Sequence, residues 1–409
     1  MRLKNAVPRV FWTASVIGVS SVVLAQPQGQ FRGLGFLPGD TASAATAVSD
    51  RMTVVGHGNR LGFLWRPNTG LQALDFPGAT ATIAHDVSAN DVVVGQAVFG
   101  SQMRACSWDE EGAHILVNRQ SAAMGISIDG QTIVGWAEHP ISYRVVPFVW
   151  TAENLVWLPE PQGSMGTNYA YGVSGDGQVV GGIAMMLSPD RIMGLPVISA
   201  RGFVWIDGVP YERFLPSGGF GSQVNALSYD GYIAVGSAQR MPGQPQRQAV
   251  LWEGESATLL GTVGGRTSIA WSVDGAGQQV VGSSDTTEGM GRAFYWTRAV
   301  GMVPLQQLFQ TLIPEGWQLI SAKDISPNGR YIVGVGINPD GATEAWLLDT
   351  GRNCYSNGDV DASGCVDEVD LMAVLFAFGN WGDPADVNCD GLVDDNDLLE
   401  VLFGLGGGC

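Results

Sequence analysis

Ser127-Ile128-Asp129-Gly130-Gln131-Thr132-Ile133-Val134-Gly135 sets a hydroxyl, an Asp-Gly pair and two β-branched residues in front of a glycine. Asp-Gly accepts the positive φ of a tight hairpin turn, and Ile-Val suits a half-buried strand. The same order occurs in six other places. They are Ser49 with Val54-Val55-Gly56, Ser88 with Val93-Val94-Gly95, and Ser174-Gly-Asp176-Gly177 with Gly181-Gly182. Further on come Ser228-Tyr-Asp230-Gly231 with Ala234-Val235-Gly236, Asp274 with Val280-Val281-Gly282, and Ser326-Pro-Asn328-Gly329 with Ile332-Val333-Gly334. The closing glycines lie 39 to 54 residues apart. A period of that size is the mark of a repeat architecture.

Working outward, a second signature follows each turn. Gly62-Phe63-Leu-Trp65, Pro147-Phe148-Val-Trp150, Gly202-Phe203-Val-Trp205 and Ala293-Phe294-Tyr-Trp296 are four examples. Trp108 and Trp252 close two more, and the seventh copy has Ala345-Trp346-Leu-Leu348. A third apolar segment ends most copies, as at Leu71–Leu74, Leu155–Pro159, Phe214–Pro216 and Val303–Leu305. Each copy therefore predicts four short strands, and four strands per unit with this period predict a β-propeller. The recurring Trp is expected between neighbouring blades. The seventh copy lacks its last segment, and Gly33-Leu34-Gly35-Phe36-Leu37-Pro38-Gly39 is an unpaired example of it near the start. This opening segment is expected to complete the last blade and leave no long edge. The fold class expected is mainly β: a seven-bladed β-propeller over residues 31–350, followed by a small α-helical domain.

The Ser-x-x-Gly-x-Val-Val-Gly and Ala-Phe-x-Trp cores resemble the HAF-type repeats of bacterial exported proteins, over residues 33 to 348. The histidine of that name is replaced here by Arg104, Arg201, Gln248, Arg292 and Glu344. The resemblance implies export and a propeller and implies no activity.

Residues 354–409 follow other rules. Asp359-Val-Asp361-Ala-Ser363-Gly364-Cys365-Val-Asp367-Glu-Val-Asp370 places oxygen side chains at positions 1, 3, 5, 9 and 12, with glycine at 6. Asp386-Val-Asn388-Cys-Asp390-Gly391-Leu392-Val-Asp394-Asp-Asn-Asp397 repeats it, 27 residues on. A hard cation takes six to eight oxygens, and the glycine permits the sharp turn that aims them inward. Position 7 offers a backbone carbonyl, so Cys365 and Leu392 can stand there. These twelve positions predict two Ca2+ ions. After each loop, Leu371, Val374, Leu375 and Phe378, then Leu398, Val401, Leu402 and Leu405, recur at helical spacing, with Gly379 and Gly404 placed to end the helices. Position 12 is Asp, where an EF-hand has Glu, and no helix fits upstream of either loop.

This tandem resembles a type I dockerin domain, the module that docks exported proteins onto cohesin receptors. The resemblance implies calcium binding and a cohesin-like or other surface-protein partner. In cellulosomal dockerins, small hydroxyl residues at positions 10 and 11 read the cohesin; here Glu368-Val369 and Asp395-Asn396 occupy them.

Met1 to Ala25 reads as a signal peptide: Arg2, Lys4 and Arg9 precede an apolar run, and Val23-Leu-Ala25 suits cleavage. No later stretch is long and apolar enough to span a bilayer. The chain is expected to be secreted, extracellular or at the cell surface. Its 21 Lys and Arg against 39 Asp and Glu give a formal charge of −18, with no basic patch, which disfavours nucleic acid as a partner. Cys354, Cys365, Cys389 and Cys409 suggest two disulfides in the module. Of three possible pairings, Cys354–Cys409 would clasp its ends and Cys365–Cys389 would join the loops. Cys106 stands where other copies have Phe and reads as a buried thiol.

No catalytic motif is evident. His57, His85, His114 and His139 are scattered and read as surface or loop residues. Gly172-Val-Ser174-Gly-Asp176 lacks the last glycine of a nucleophile elbow and lies in a hairpin. Glycosidases need two placed carboxylates, and Asp75, Asp109, Glu153 and Glu212 are examples in propeller loops, with the choice of those that converge on the central funnel left to the fold. The sequence favours a non-enzymatic binding protein, its propeller offering a recognition face to a polysaccharide or protein. The alternatives are a carbohydrate-active enzyme of the glycoside hydrolase kind and a structural surface or matrix component.

Overall fold

The computed structural model describes residues 29–152, 154–192, 195–215, 220–239 and 246–351, and in the C-terminal module 358, 360, 365–379, 385, 387 and 393–407; the side chains of 188–196 are left aside. The expected signal peptide lies outside these residues.

The strands follow the repeats. β1 is Gln30–Gly33. β2 to β5 are Ala44–Val48, Val54–His57, Gly62–Arg66 and Gly70–Leu74, and β6 to β9 are Ala81–Val87, Val93–Phe99, Gln102–Asp109 and Gly112–Val117. β10 to β13 are Ser121–Ile126, Ile133–Glu138, Val145–Thr151 and Asn154–Trp157; β14 to β17 are Ser164–Val173, Val179–Ile192, Leu195–Ile206 and Val209–Arg213. β18 to β21 are Gly221–Leu227, Ile233–Gln239, Arg247–Glu253 and Ser256–Gly261, and β22 to β25 are Ser268–Val273, Val280–Asp285, Gly291–Thr297 and Gly301–Pro304. After a short helix α1 (Leu305–Leu308) come β26 to β28, Gln318–Ile325, Tyr331–Ile337 and Thr343–Asp349.

Among the described residues these strands form five sheets of four and one of eight. The sheet of eight holds β10–β13 and β14–β17, each antiparallel within itself, joined by a single parallel pairing at Val145 and Thr167. β26–β28 take their outer strand from the start of the chain: β1 pairs antiparallel with β28, Phe31 opposite Leu348. The opening segment thus does supply the missing strand, but three residues earlier than the Gly33–Gly39 motif predicts. Phe31 stacks on Trp346 and meets Trp317 edge-on, and Leu34 and Leu37 of the motif pack in the cluster beside the first group.

The core lies between groups of strands. Leu64 and Phe76 from the first group pack with Cys106 and Trp108 of the next, and Leu251 and Leu260 pack with Trp296. Trp205 and Trp252 are almost wholly enclosed. The indole N–H groups of Trp108, Trp205 and Trp252 donate to Asp75 O, Pro159 O and Phe214 O in the preceding group, at 2.9, 2.9 and 3.2 Å. Each recurring Trp of this kind joins two groups through its ring and one backbone carbonyl. Cys106 is buried and free in the Phe position, and burial pushes its thiol well above the usual range.

The helices of the C-terminal module are α2 (Glu368–Ala377) and α3 (Asp395–Gly404). The apolar stripes predicted for them divide. Val374, Ala377 and Val401 are buried, but Leu375, Phe378, Leu402 and Leu405 are exposed, as are Phe376 and Phe403. The inward faces are narrower because Asp370 and Asp397, fully buried, take the first inward position of each helix. Gly404 is the last helical residue and does not end α3; Gly406, at φ 81°, is the counterpart of Gly379 at φ 82°.

Candidate functional site

The site begins with a backbone irregularity present in every group. In each first strand the register against the second strand slips by one residue: between Ala45 and Ala47, Ala84 and Asp86, Ala123 and Gly125, Ala170 and Gly172, Val224 and Ala226, Ala270 and Ser272, Ala322 and Asp324. A β-bulge re-aims the extra residue. The glycine of the Val-Val-Gly signature makes room for it. A Cβ on Gly95 would stand 2.0 Å from Ile83 O, and one on Gly236 would stand 1.9 Å from Gln223 O. The repeated glycine therefore permits close approach at a bulge, and its φ is not positive.

The bulged residues are Thr46, His85, Met124, Tyr171, Asn225, Trp271 and Lys323, and all seven line one cavity of about 210 Å³. Each comes from a different first strand, so the cavity sits where those strands converge.

Several of these residues tie neighbouring strands. Thr46 Oγ1 donates to Ala84 O at 3.0 Å, and Asn225 Nδ2 donates to Ala270 O at 2.7 Å. Asp86, next to the bulge, accepts from Ile126 N at 2.9 Å and Val87 N at 2.8 Å. Asp324 accepts from Val48 N at 2.8 Å and from Ser272 Oγ at 2.6 Å. Both carboxyls are walled in by protein, with only the cavity beside them. Burial, reinforced by the charge of Asp324, pushes Asp86 up to about 7; burial pushes Asp324 up to about 6, against the bonds from Ser272, Val48 and Ile325. His85 is pushed down to about 4 by the same loss of solvent, so it is neutral near pH 7.

The turns after the first strands surround one mouth. Arg51, Asn90, Asp129, Asp176 and Tyr229 lie there. In most copies the signature Ser is a turn brace: Ser127, Ser174, Ser228 and Ser326 donate to Asp129, Asp176, Asp230 and Asn328 two residues on, whereas the buried Ser49 hydroxyl has no partner among the described residues. The turns also join one another. Ala89 N bonds Ile128 O, Ile128 N bonds Gly175 O, and Tyr229 N bonds Gly275 O. Asn328 N bonds the carboxylate of Asp50 at 2.8 Å, which carries the chain of contacts from the last group to the first.

The expected candidates are elsewhere. Asp109 pairs with His114 and Glu212 with Arg201, both outside the cavity; Asp75 accepts from Phe76 N; Glu153 lies outside the described residues. Of the four histidines only His85 lines the cavity, a correction to its reading as a loop residue. Ser174 is a turn brace, in keeping with the rejected elbow. The bulge residues themselves had a signal: each follows a small or branched residue, stands three positions before the signature Ser or Asp274, and is of a different type in every copy.

In the C-terminal module, Cys365, Asp367, Asp370, Asp394 and Asp397 are described; Asp359, Asp361, Ser363, Asp386, Asn388, Asp390 and Leu392 lie outside the described residues, as do Cys354, Cys389 and Cys409. The two described halves match. Asp367 accepts from Val369 N and Asp394 from Asn396 N, at 2.8 and 2.7 Å; Asp370 and Asp397 reach back to the N–H of Asp367 and Asp394, at 2.9 and 2.8 Å. These are capping boxes. Asp370 also accepts from Val360 N at 2.7 Å, which draws position 2 of the loop against position 12.

Among solved structures, the β-propeller domain of the Trilobed protease from Pyrococcus furiosus is similar at TM-score 0.53 and 9% identity, covering 76% of this chain and 94% of that one. TolB from Agrobacterium tumefaciens is similar at TM-score 0.42 and 14% identity, covering 78% and 93%. At 9% identity the likeness to the Pyrococcus furiosus domain is one of fold. No protein-family model and no curated protein matches the chain. The strands β1 to β28 form a β-propeller fold. Among the described residues, no helix is long and apolar enough to cross a membrane.

Proposed function

We propose that the chain is an exported, non-enzymatic binding protein with a seven-bladed propeller as its recognition part and a calcium-dependent, dockerin-like module at its C-terminus. Counting β10–β13 and β14–β17 as two blades gives seven, one per repeat. The observation that carries the reading is the cavity wall: seven equivalent backbone positions hold seven different side-chain types. Blade packing is repetitive, so chemistry that differs at every blade suits a shaped, asymmetric ligand.

The buried carboxylates at position 12, each fixed by backbone N–H groups, suit a hard-cation donor set. Asp359, Asp361, Ser363, Cys365 O, Asp367 and Asp370 would hold one Ca2+ ion, and Asp386, Asn388, Asp390, Leu392 O, Asp394 and Asp397 the other. Cys365 is half-buried and bonded, which agrees with a disulfide in the module. The exposed apolar residues at matching places, Met372 with Leu399 and Phe376 with Phe403, suit an apolar docking partner of the cohesin-like or surface-protein kind.

One observation favours the alternative of a carbohydrate-active enzyme. Asp86 and Asp324 share the cavity, and after burial itself the charge of Asp324 helps to raise the proton affinity of Asp86, a pairing of two carboxyls of the kind that glycosidases use. Against it, both oxygens of each are already engaged by backbone or hydroxyl donors. A screen on plant and microbial polysaccharides decides. Retention without products supports the binder, released sugars support the enzyme, and neither result supports a matrix role.

A further inference from the structure

Lysine occurs at positions 4 and 323 alone in this chain. A surface almost without lysine thus has one in the centre of the propeller. Lys323 Nζ lies 4.1 Å from the centroid of the Trp271 ring, on the cavity wall. Among the described residues no carboxylate is within ion-pair distance of it. Its neighbour Asp324 points its oxygens at Ser272 and Val48. Tyr171 lies on the same wall, and its hydroxyl has no hydrogen-bond partner among the described residues. Arg51, at the mouth, likewise has none for its guanidinium. Two donors, the Lys323 ammonium and the Tyr171 hydroxyl, therefore face one space with no acceptor of their own, and the exposed Arg51 stands outside it at the mouth. Loss of solvent lowers the proton affinity of Lys323, so an unpaired ammonium is costly there.

We propose that the cavity binds one hexuronate ring, its carboxylate paired with Lys323 and Tyr171 and its hydroxyls facing Asp86 and Asp324. The inference rests on the recognition reading above and names its ligand. An anion answers the unpaired donors. A ring of hydroxyls answers the carboxyls, which keep lone pairs beyond those used by the backbone. The volume of about 210 Å³ is below the range of drug-sized pockets and suits a single ring. A polymer could enter only by its end.

The chain's negative charge opposes an anion, but the local balance differs. The titratable groups on the wall with Lys323 are Asp50, His85, Asp86, Tyr171 and Asp324, with Tyr229 at the rim. Near pH 5.5, Asp86 and Asp324 are largely protonated, and His85 and Tyr171 are neutral. Lys323 is then opposed on the wall by Asp50, whose carboxylate accepts from Asn328 N, and is reinforced by the charge of Arg247 near Tyr171, while distant surface charges are screened at ordinary ionic strength. Binding should weaken as the pH rises toward 8 and the two carboxyls ionise.

The test is calorimetric titration of the full chain at pH 5.5 with galacturonate, glucuronate, a tri-galacturonate, galactose and glucose. Binding of a uronate, with neutral hexoses at least about tenfold weaker, is the expected result. Lys323→Met should lower uronate affinity about tenfold or more, and Lys323→Arg should restore part of it. Protection of Lys323 from acetylation by the uronate, read by mass spectrometry, gives a second measurement that does not depend on a variant. The free sugar and the trimer separate a monosaccharide site from a chain-end site. Equal binding of uronate and neutral hexose, unchanged affinity in a folded Lys323→Met, or no protection would overturn the proposal. If uronates fail while a neutral polysaccharide is retained by the propeller, this inference falls and the recognition reading stands; if nothing is retained, both fall.

Discussion

The walls between blades and the wall of the cavity are built from the same repeats and obey opposite rules. Between blades the copies repeat one chemistry: a glycine under the bulge, a Trp whose indole reaches the preceding blade in three copies, and a Ser that braces the turn in five. In the cavity, the backbone repeats and the side chains do not. Packing between identical strands asks the same question at every interface, so one answer serves throughout. The bulge frees one residue per copy from that demand, because its side chain leaves the sheet and enters a space that no neighbour must fill.

The comparison breaks most severely at the glycine beneath a bulge. Gly236→Val would drive a Cβ to 1.9 Å from Gln223 O and to 2.9 Å from its carbon, both backbone atoms with no room to withdraw. The expected loss is more than about 3 kcal/mol, enough to unfold the domain at ordinary temperature. Met124→Ala, in the cavity wall, should cost about 1 kcal/mol, because its side chain already borders open space. Thermal melts of the two variants measure the gap. Equal losses would mean that the cavity wall is as tightly packed as the blade interfaces.

Acidity sharpens the same contrast. The buried carboxyls of Asp86, Asp324 and Asp274 bind protons more tightly when folded than when unfolded, because burial raises them to about 7, 6 and 6. Between about pH 4 and pH 7 the folded chain therefore holds the extra protons, and stability falls as the pH rises through that window. A fall of several kcal/mol between pH 4.5 and pH 8 is expected, measured by urea denaturation at each pH. Asp86→Asn should flatten the slope, whatever its effect on stability at a single pH. A slope unchanged in that variant would show that Asp86 is an ordinary carboxylate.

The sequence disclosed the repetitive side of this comparison and concealed the variable side. Trp65, Trp108, Trp205 and Trp252 recur, so their place between blades could be read directly. The pairing of an opening strand with the last copy was legible as well, because one copy was short of a segment. His85 and Lys323 were not legible as partners. They lie 238 residues apart in the chain, and only the convergence of the first strands brings them onto one wall. Asp86 and Asp324 escaped notice for the same reason, whereas loop carboxylates such as Asp109 drew attention without converging. The outward turn of Leu375 and Leu402 was hidden because helical spacing alone cannot tell an inward face from one that awaits a partner.

The smallest effect tests how far the repeats tolerate departure. The fourth residue of the turn is Gly130, Gly177, Gly231, Gly277 and Gly329 in five copies, all at φ between 70° and 76°. Met52 takes that place in the first copy at φ 60°, and Asp91 in the second at φ 66°. A left-handed conformation costs a residue with a Cβ about 1 kcal/mol, and Asp91 offsets part of it through Thr53 at 2.6 Å and Arg66 at 3.1 Å. Met52 makes no such bond and instead packs, half-buried, against the cluster of Val48, Val54 and Tyr331. Met52→Gly relieves the strain and forfeits that packing, also worth about 1 kcal/mol for a half-buried side chain. The two nearly cancel, so the melting temperature should move by no more than about 2 °C. A larger fall would show that the side chain of Met52 holds the first and last blades together, and a clear rise would show that the first turn has kept its methionine at the expense of stability.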